Sequence, residues 1–253
     1  MRPMRKITCL LALLFVSTAA AAQTRSLMIE DLTTDEVQAA LTAGMTTAIY
    51  YTGGTHQSGP AIALGKHNII APLLARRIAE ELGNALVYPI NPYAPGGDYV
   101  RKTGHMRFAG SVSLTEATFL AVSKDVVMSA LAVGFKHVVI LNEHGGSRAA
   151  LKTMAETMDK EWAPKGARVF FVPVYDDGET FFIDYLTKLS VAPEFHTPID
   201  DASELTAVDA SKYVRRDKLP PQVAPHATSA VGFTFINAKV SAAVASIRAQ
   251  MAK

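Results

Sequence analysis

HVVILNEHGGS (137–147) sets three kinds of residue in a fixed order. Val138 to Leu141 is an unbroken apolar run with three β-branched side chains and no polar alternation. Such a run suits a strand buried on both faces, the usual strand of a parallel sheet covered by helices. Asn142, Glu143 and His144 follow, then Gly145 and Gly146, and then a helical pattern over 149–162. Strand, glycine turn and helix together make half of a strand–helix–strand unit.

The same order recurs on both sides. TTAIYY (46–51) reads as a buried strand running into the glycine loop GGTHQSGPAIALGKHN (53–68). NIIAPLLARRIAEELG (68–83) has apolar positions at helical spacing and stops at Gly83. ALVYPI (85–90) and RVFFVPV (168–174) read as further strands. Residues 113–134 form a helical pattern, with Ser113 and Glu116 at capping-box spacing and Gly134 at the end. Helical patterns also cover residues near Thr34–Thr42, 179–189 and the C-terminal INAKVSAAVASIRAQMA, while Asp176-Asp177-Gly178 is a turn signal. The expected fold is α/β: a three-layer sandwich with a mostly parallel central sheet covered by helices on both faces. Ligands of such sheets sit beyond the carboxyl ends of the strands, where the 53–68 loop, the 142–147 turn and Tyr175–Asp177 all emerge.

The N-terminus belongs to another kind of segment. MRPMRK carries three basic residues and no acid, ITCLLALLFV is apolar, and Ala20-Ala21-Ala22 fits a small-residue cleavage site. That order is a secretory signal peptide over 1–22, too short in its apolar run for a membrane span. It leaves 23–253 as one expected domain, exported to the periplasm or secreted, with no membrane association after cleavage. Without Arg2, Arg5 and Lys6 the balance is 22 basic against 23 acidic residues, so the formal charge of +2 becomes about −1. No basic face invites nucleic acid. Cys9 is the only cysteine and lies inside the signal segment. The mature chain therefore has neither a disulfide nor a thiolate site, and any metal must be held by imidazole and carboxylate.

Two glycines before a helix suit an anion, but the lysine and spacing of a phosphate loop are absent here. A single strand-end histidine is ordinarily a turn residue in solvent. His56, His67 and His144 on one rim suggest a metal instead. Asp98, Tyr99 and Arg101 lie in a Gly/Pro-rich loop that either lines the pocket or is merely structural.

The chain resembles the creatininase (creatinine amidohydrolase) family of metal-dependent hydrolases. Its members carry a Glu-Gln-His-Gly-Pro-His-Leu-Pro-Leu-Gly-Thr-Asp loop, matched without a gap by THQSGPAIALGKHN. A His-Xaa-Xaa-Phe-Pro-Gly-Thr segment is matched by HMRFAGSVSL (105–114), and an Asn-Gly-His-Gly-Gly-Asn turn by NEHGGS. A late His-Ala-Gly-Xaa-Xaa-Glu-Thr-Ser motif is matched by HTPIDDAS (196–203). The resemblance implies a two-metal centre whose first loop supplies Glu, His and Asp, the Asp bridging both ions. Those positions hold His56, Ser58 and His67 here, the second loop histidine is Ala61, and a glutamate found in some members is Gly146. The turn histidine remains as His144, the late histidine as His196, and the late glutamate is Asp201.

An imidazole does not ordinarily bridge two ions, so these replacements imply one metal rather than two. The set His56, His67, His144 and Asp201 suits zinc. Proton transfer then falls to His196, with Glu143 as the other candidate, and Asp201 is either a ligand or the base. The expected function is hydrolysis of a cyclic amide or similar small C–N bond in a small-molecule substrate. The alternatives are metal-assisted lyase, isomerase or lactonase chemistry, or a catalytically silent binding protein that retains the fold. Resemblance also implies a homo-oligomer, a hexamer in the family.

Overall fold

The computed structural model describes residues 26–189 and 199–252. The signal segment and His196 lie outside them. Four parallel strands, β1 (Thr47–Thr52), β2 (Ala85–Val87), β3 (His137–Asn142) and β4 (Arg168–Val172), form one sheet in the order β2-β1-β3-β4. Alternate side chains of each strand enter different cores. Tyr51, Ile49, Val139, Leu141 and Val172 face one layer, made of α2 (Lys66–Leu82), α5 (Val174–Lys188), α6 (Ile199–Tyr213) and α7 (Ser229–Met251). Ala48, Tyr50, Val138, Ile140 and Val169 face the other, made of α1 (Thr34–Thr42), α3 (Glu116–Val133) and α4 (Arg148–Trp162). Burial on both faces explains why β1 and β3 show no alternation. Helix α7 is long and apolar enough to cross a membrane by composition alone. It packs instead on α2, α5 and α6, with Lys239 buried at its centre.

Local rules account for most boundaries. Thr33 and Glu36 close a capping box on α1, and Gly83 and Gly134 end α2 and α3 in the left-handed conformation. Three expectations shift. Thr115, not Ser113, caps α3, because Ser113 Oγ is taken by the Gly96 N–H (2.9 Å) and the Gly97 carbonyl (2.7 Å). Helix α5 begins at Val174 and runs through Asp176-Asp177-Gly178, which the sequence reads as a turn. Helix α2 begins at Lys66, so His67 stands in its first turn rather than at the end of a loop.

The sheet order decides where a ligand can sit. After β1 the chain crosses through α2 to β2 on one side, and after β3 it crosses through α4 to β4 on the other. The crevice between β1 and β3 is therefore the topological switch point, open beyond their carboxyl ends. Thr52 pairs with Asn142, so both strands end at the same level.

Candidate metal centre

Four histidines gather above that crevice. His144 follows β3 in extended conformation, its turn held by the Asn142 side-chain amide on the His144 carbonyl (3.0 Å). His56 follows β1, its backbone N–H bonded to Leu64 across the loop (3.0 Å). His67 reaches in from α2. His105 stands on a single 3-10 turn (Gly104–Arg107) in the long connection between β2 and α3, anchored by its N–H on the Gly96 carbonyl (2.8 Å).

Two glycines make the approach possible. A Cβ on Gly54 would lie 3.2 Å from the His144 ring and 3.6 Å from that of His67, so a side chain there would press His144 aside by a few tenths of an ångström. Gly104 has φ +55°, and a Cβ there would meet the Gly96 carbonyl at 2.5 Å, breaking the loop that presents His105. Asn68 fixes the first of these segments. Its carbonyl oxygen accepts the Gly54 N–H (2.9 Å), and its amide donates to Thr55 Oγ1 (2.9 Å) and the Pro92 carbonyl (3.2 Å).

The rings of His56 and His105 stack with centroids 3.8 Å apart, and His144 meets His56 edge-on at 4.9 Å. One nitrogen from each of His56, His105 and His144 lies within 4.8 Å of the other two. His67 adjoins the group through its Nε2, 3.1 Å from His56 Nε2. Tautomers follow from the partners. His56 Nδ1–H donates to the Gln57 carbonyl (2.9 Å), so its Nε2 carries the lone pair and accepts the proton on His67 Nε2. An imidazole oriented through its far nitrogen in this way is what metal ligation requires. His67 joins a ligand set only as the other tautomer.

Protonation points the same way. Burial lowers His56 to about 4, with His105 and Lys66 adding to the effect despite the Gln57 carbonyl. Burial lowers His144 to about 3, helped by His56, His105 and Lys66. His67 is held well below the usual imidazole range by burial first and by Lys66 and His144 next. Converging imidazoles, two of them buried and neutral, fit a borderline divalent ion, and His56, His105 and His144 are the residues that would hold it.

The pH dependence of metal binding tests this. An ordinary histidine is about nine-tenths protonated one unit below its pKa, so two would weaken binding about a hundredfold at pH 5.5. Rings lowered to about 4 and about 3 stay neutral there, so zinc affinity at pH 5.5 is expected to fall from that at pH 7.5 by no more than about tenfold, the most that a third histidine ligand of ordinary pKa would add. Titration calorimetry of metal-free protein at both values decides it, and a hundredfold drop contradicts the assignment.

The remaining candidates lie elsewhere. Asp201, in the first turn of α6, is bound to Lys66 Nζ and accepts the Ser58 hydroxyl (3.2 Å). Burial pushes this carboxyl up, but Lys66 outweighs burial and leaves it below the ordinary range. Glu143 turns away from the histidines into the interior. One of its oxygens meets Lys239 Nζ at 2.7 Å, the other accepts the Tyr51 hydroxyl, and the residue is 2% exposed. The same ammonium lies 2.9 and 3.1 Å from the two oxygens of Glu204. Burial, with Glu143 and Asp200 adding, raises Glu204 to about 8, and burial beside Asp201 raises Asp200 to about 7. Burial opposes the charge on Lys239, but Glu143 and Glu204 hold its pKa well above normal.

Two site residues escaped the sequence reading. His105 was visible only as the first residue of HMRFAG, although the strand before it neighbours β1 and its connection must leave on the same rim. Lys66 sits four residues before Ile70, in line with the inward face of α2, where a buried lysine needs a partner.

Comparisons with known proteins bear on the fold and the family. A sequence profile of the Creatininase family, described as creatinine amidohydrolase, matches residues 30–247. The creatinine amidohydrolase of Pseudomonas putida is 26% identical over 120 residues, which are 47% of this chain and 45% of that protein. The chain thus matches a little under half the length of this curated relative. Among solved structures, a point-mutant creatininase of Zn-Zn type superposes with TM-score 0.75 at 18% identity, covering 89% of this chain and 98% of the other. A manganese creatininase gives 0.72 at 19% identity, covering 89% and 99%. A mutant creatininase complexed with creatine gives 0.72 at 18% identity, covering 89% and 99%. With the profile running through nearly the whole described chain, and the fold and switch-point histidines beside it, this protein belongs to the creatininase family.

Proposed function

We propose that the protein is a metal-dependent hydrolase with one divalent ion per chain, acting on a small molecule with a cyclic amide or similar C–N bond. The observation that carries the reading is the convergence of His56, His105 and His144 at the switch point, with His56 and His144 buried and neutral. A zinc-class ion held there supplies Lewis acidity, polarising a carbonyl and acidifying water. The chain's own residues do the rest. The Gln57 carbonyl keeps the His56 Nε2 lone pair directed at the cluster, and the Asn142 amide fixes the turn behind His144. Asp201, kept ionised by Lys66, is a weak base, and Glu143 has both oxygens engaged. The proton-moving role therefore stays with His196, on the strength of the late motif alone. Creatinine itself is not the proposed substrate, because the positions that bridge two ions in the family carry other chemistry here. Zinc is the proposed metal, and export with homo-oligomeric assembly completes the reading.

The test is metal analysis of mature protein purified without a histidine tag, followed by a screen of lactams, hydantoins and lactones. About one zinc per chain with turnover of a cyclic amide is the expected result. Absence of bound metal under zinc-replete conditions overturns the proposal, and lactone turnover alone moves the activity to another ester-type class.

A further inference from the structure

The ion pair between Lys66 and Asp201 lies on the segments that carry His56 and His67. It joins three segments: the β1–α2 loop through Ser58, the first turn of α2 through Lys66, and the first turn of α6 through Asp201. The Lys66 side chain is 7% exposed and that of Asp201 17%, so neither charge is well solvated. Lys66 directly precedes His67 in the first turn of α2, and the Ser58 that bonds Asp201 lies two residues after His56, so the pair sits on the segments that carry two of the rings. Asp201 raises the proton affinity of His56, where Lys66 lowers it. A carboxylate thus stands next to the imidazole cluster, with a fixed cation bound to it.

We propose that Lys66 is a built-in cation that holds the centre to a single metal ion by keeping the Asp201 carboxylate away from it. This rests on the reading that the histidines bind a metal, and adds what sets their capacity. A divalent ion needing oxygen ligands would have to displace the ammonium from Asp201, and would also meet its positive charge at short range in a poorly solvated site. Without the ammonium, Asp201 becomes a buried carboxylate with only the Ser58 hydroxyl, and a cation is the partner that relieves it. Lys66 is in this sense a positioning residue. It touches no substrate and acts through Asp201.

The experiment is titration of metal-free full-length mature protein with zinc and with manganese, for wild type, Lys66→Met, Lys66→Gln and Lys66→Met/Asp201→Asn. Thermal melts run alongside to confirm folding. Wild type is expected to take one ion. Lys66→Met is expected either to take a second or to bind the first about tenfold more tightly, each result placing Asp201 on metal. The double variant returns to wild-type stoichiometry and affinity, because the released carboxylate is gone. Lys66→Gln, which keeps a donor to Asp201 without the charge, gives the same gain should the methionine variant not fold. A lysine that is only a staple lowers the melting temperature and leaves metal number and affinity unchanged, and that result overturns the proposal while the hydrolase reading stands. Wild type without metal, even where variants bind it, overturns both readings, since each requires one ion on the wild-type histidines. No binding by any of the four overturns both.

Discussion

Lys239→Met is expected to destabilise the protein by about 3–5 kcal/mol near pH 7, the usual cost of removing one partner from a buried ion pair. The ammonium stands between Glu143 and Glu204, both 2% exposed, and no solvent replaces it. Methionine preserves the length and apolar stem of the side chain, so the loss reports charge rather than a cavity. The pH dependence follows from Glu204. Its folded pKa, about 8, lies above the ordinary 4.5, so across that window the folded chain binds a proton the unfolded chain has released. Its contribution is full below pH 4.5 and is lost as pH rises through 8. Without Lys239 nothing offsets the ionised form, so the loss is expected to be larger at pH 8 than at pH 5. Urea denaturation of metal-free variant and wild type at both values measures it. A loss under about 1 kcal/mol, or one that grows in acid, would show that the ammonium is not what neutralises these carboxylates.

The second large effect concerns ligand identity. His105→Ala is expected to weaken zinc binding at least about a hundredfold, beyond the 10–100-fold typical of residues that only orient a ligand. His105 stacks on His56 and shares the close nitrogen group with it and His144, whereas His67 lies outside that group, hydrogen-bonded to His56 and ring to ring with His56 and His144 at 5.0 and 5.6 Å. His67→Ala is therefore expected to cost less. Equilibrium competition against a zinc chelator ranks the two. If His105→Ala binds as wild type while His67→Ala fails, the third ligand is His67 and the stacked ring is only packing.

How far these features can be read in the sequence depends on how local their causes are. Strands β1, β3 and β4 are legible because burial on both faces leaves continuous apolar runs in the chain itself. Helix ends at Gly83 and Gly134 are legible because the left-handed cap needs glycine. The start of α5 is not, because Asp-Asp-Gly favours a turn in isolation and becomes helical only within the packed layer. His56 and His144 could be placed on one rim because each directly follows a strand. His105 could not, since its position depends on how a connection of more than a dozen residues folds back over the crevice. Asp201 was assigned by motif, and no pattern along the chain announces that Lys66 will seize it.

None of the clustered imidazoles belongs to either hydrophobic core, which lie on opposite sides of the sheet and are built of apolar side chains from strands, helices and the loops that join them. Ligand exchange at the crest of β1 and β3 therefore leaves the packing below undisturbed. The scaffold behaves as a socket, and its chemistry can be rewired one contact at a time while the same architecture persists beneath.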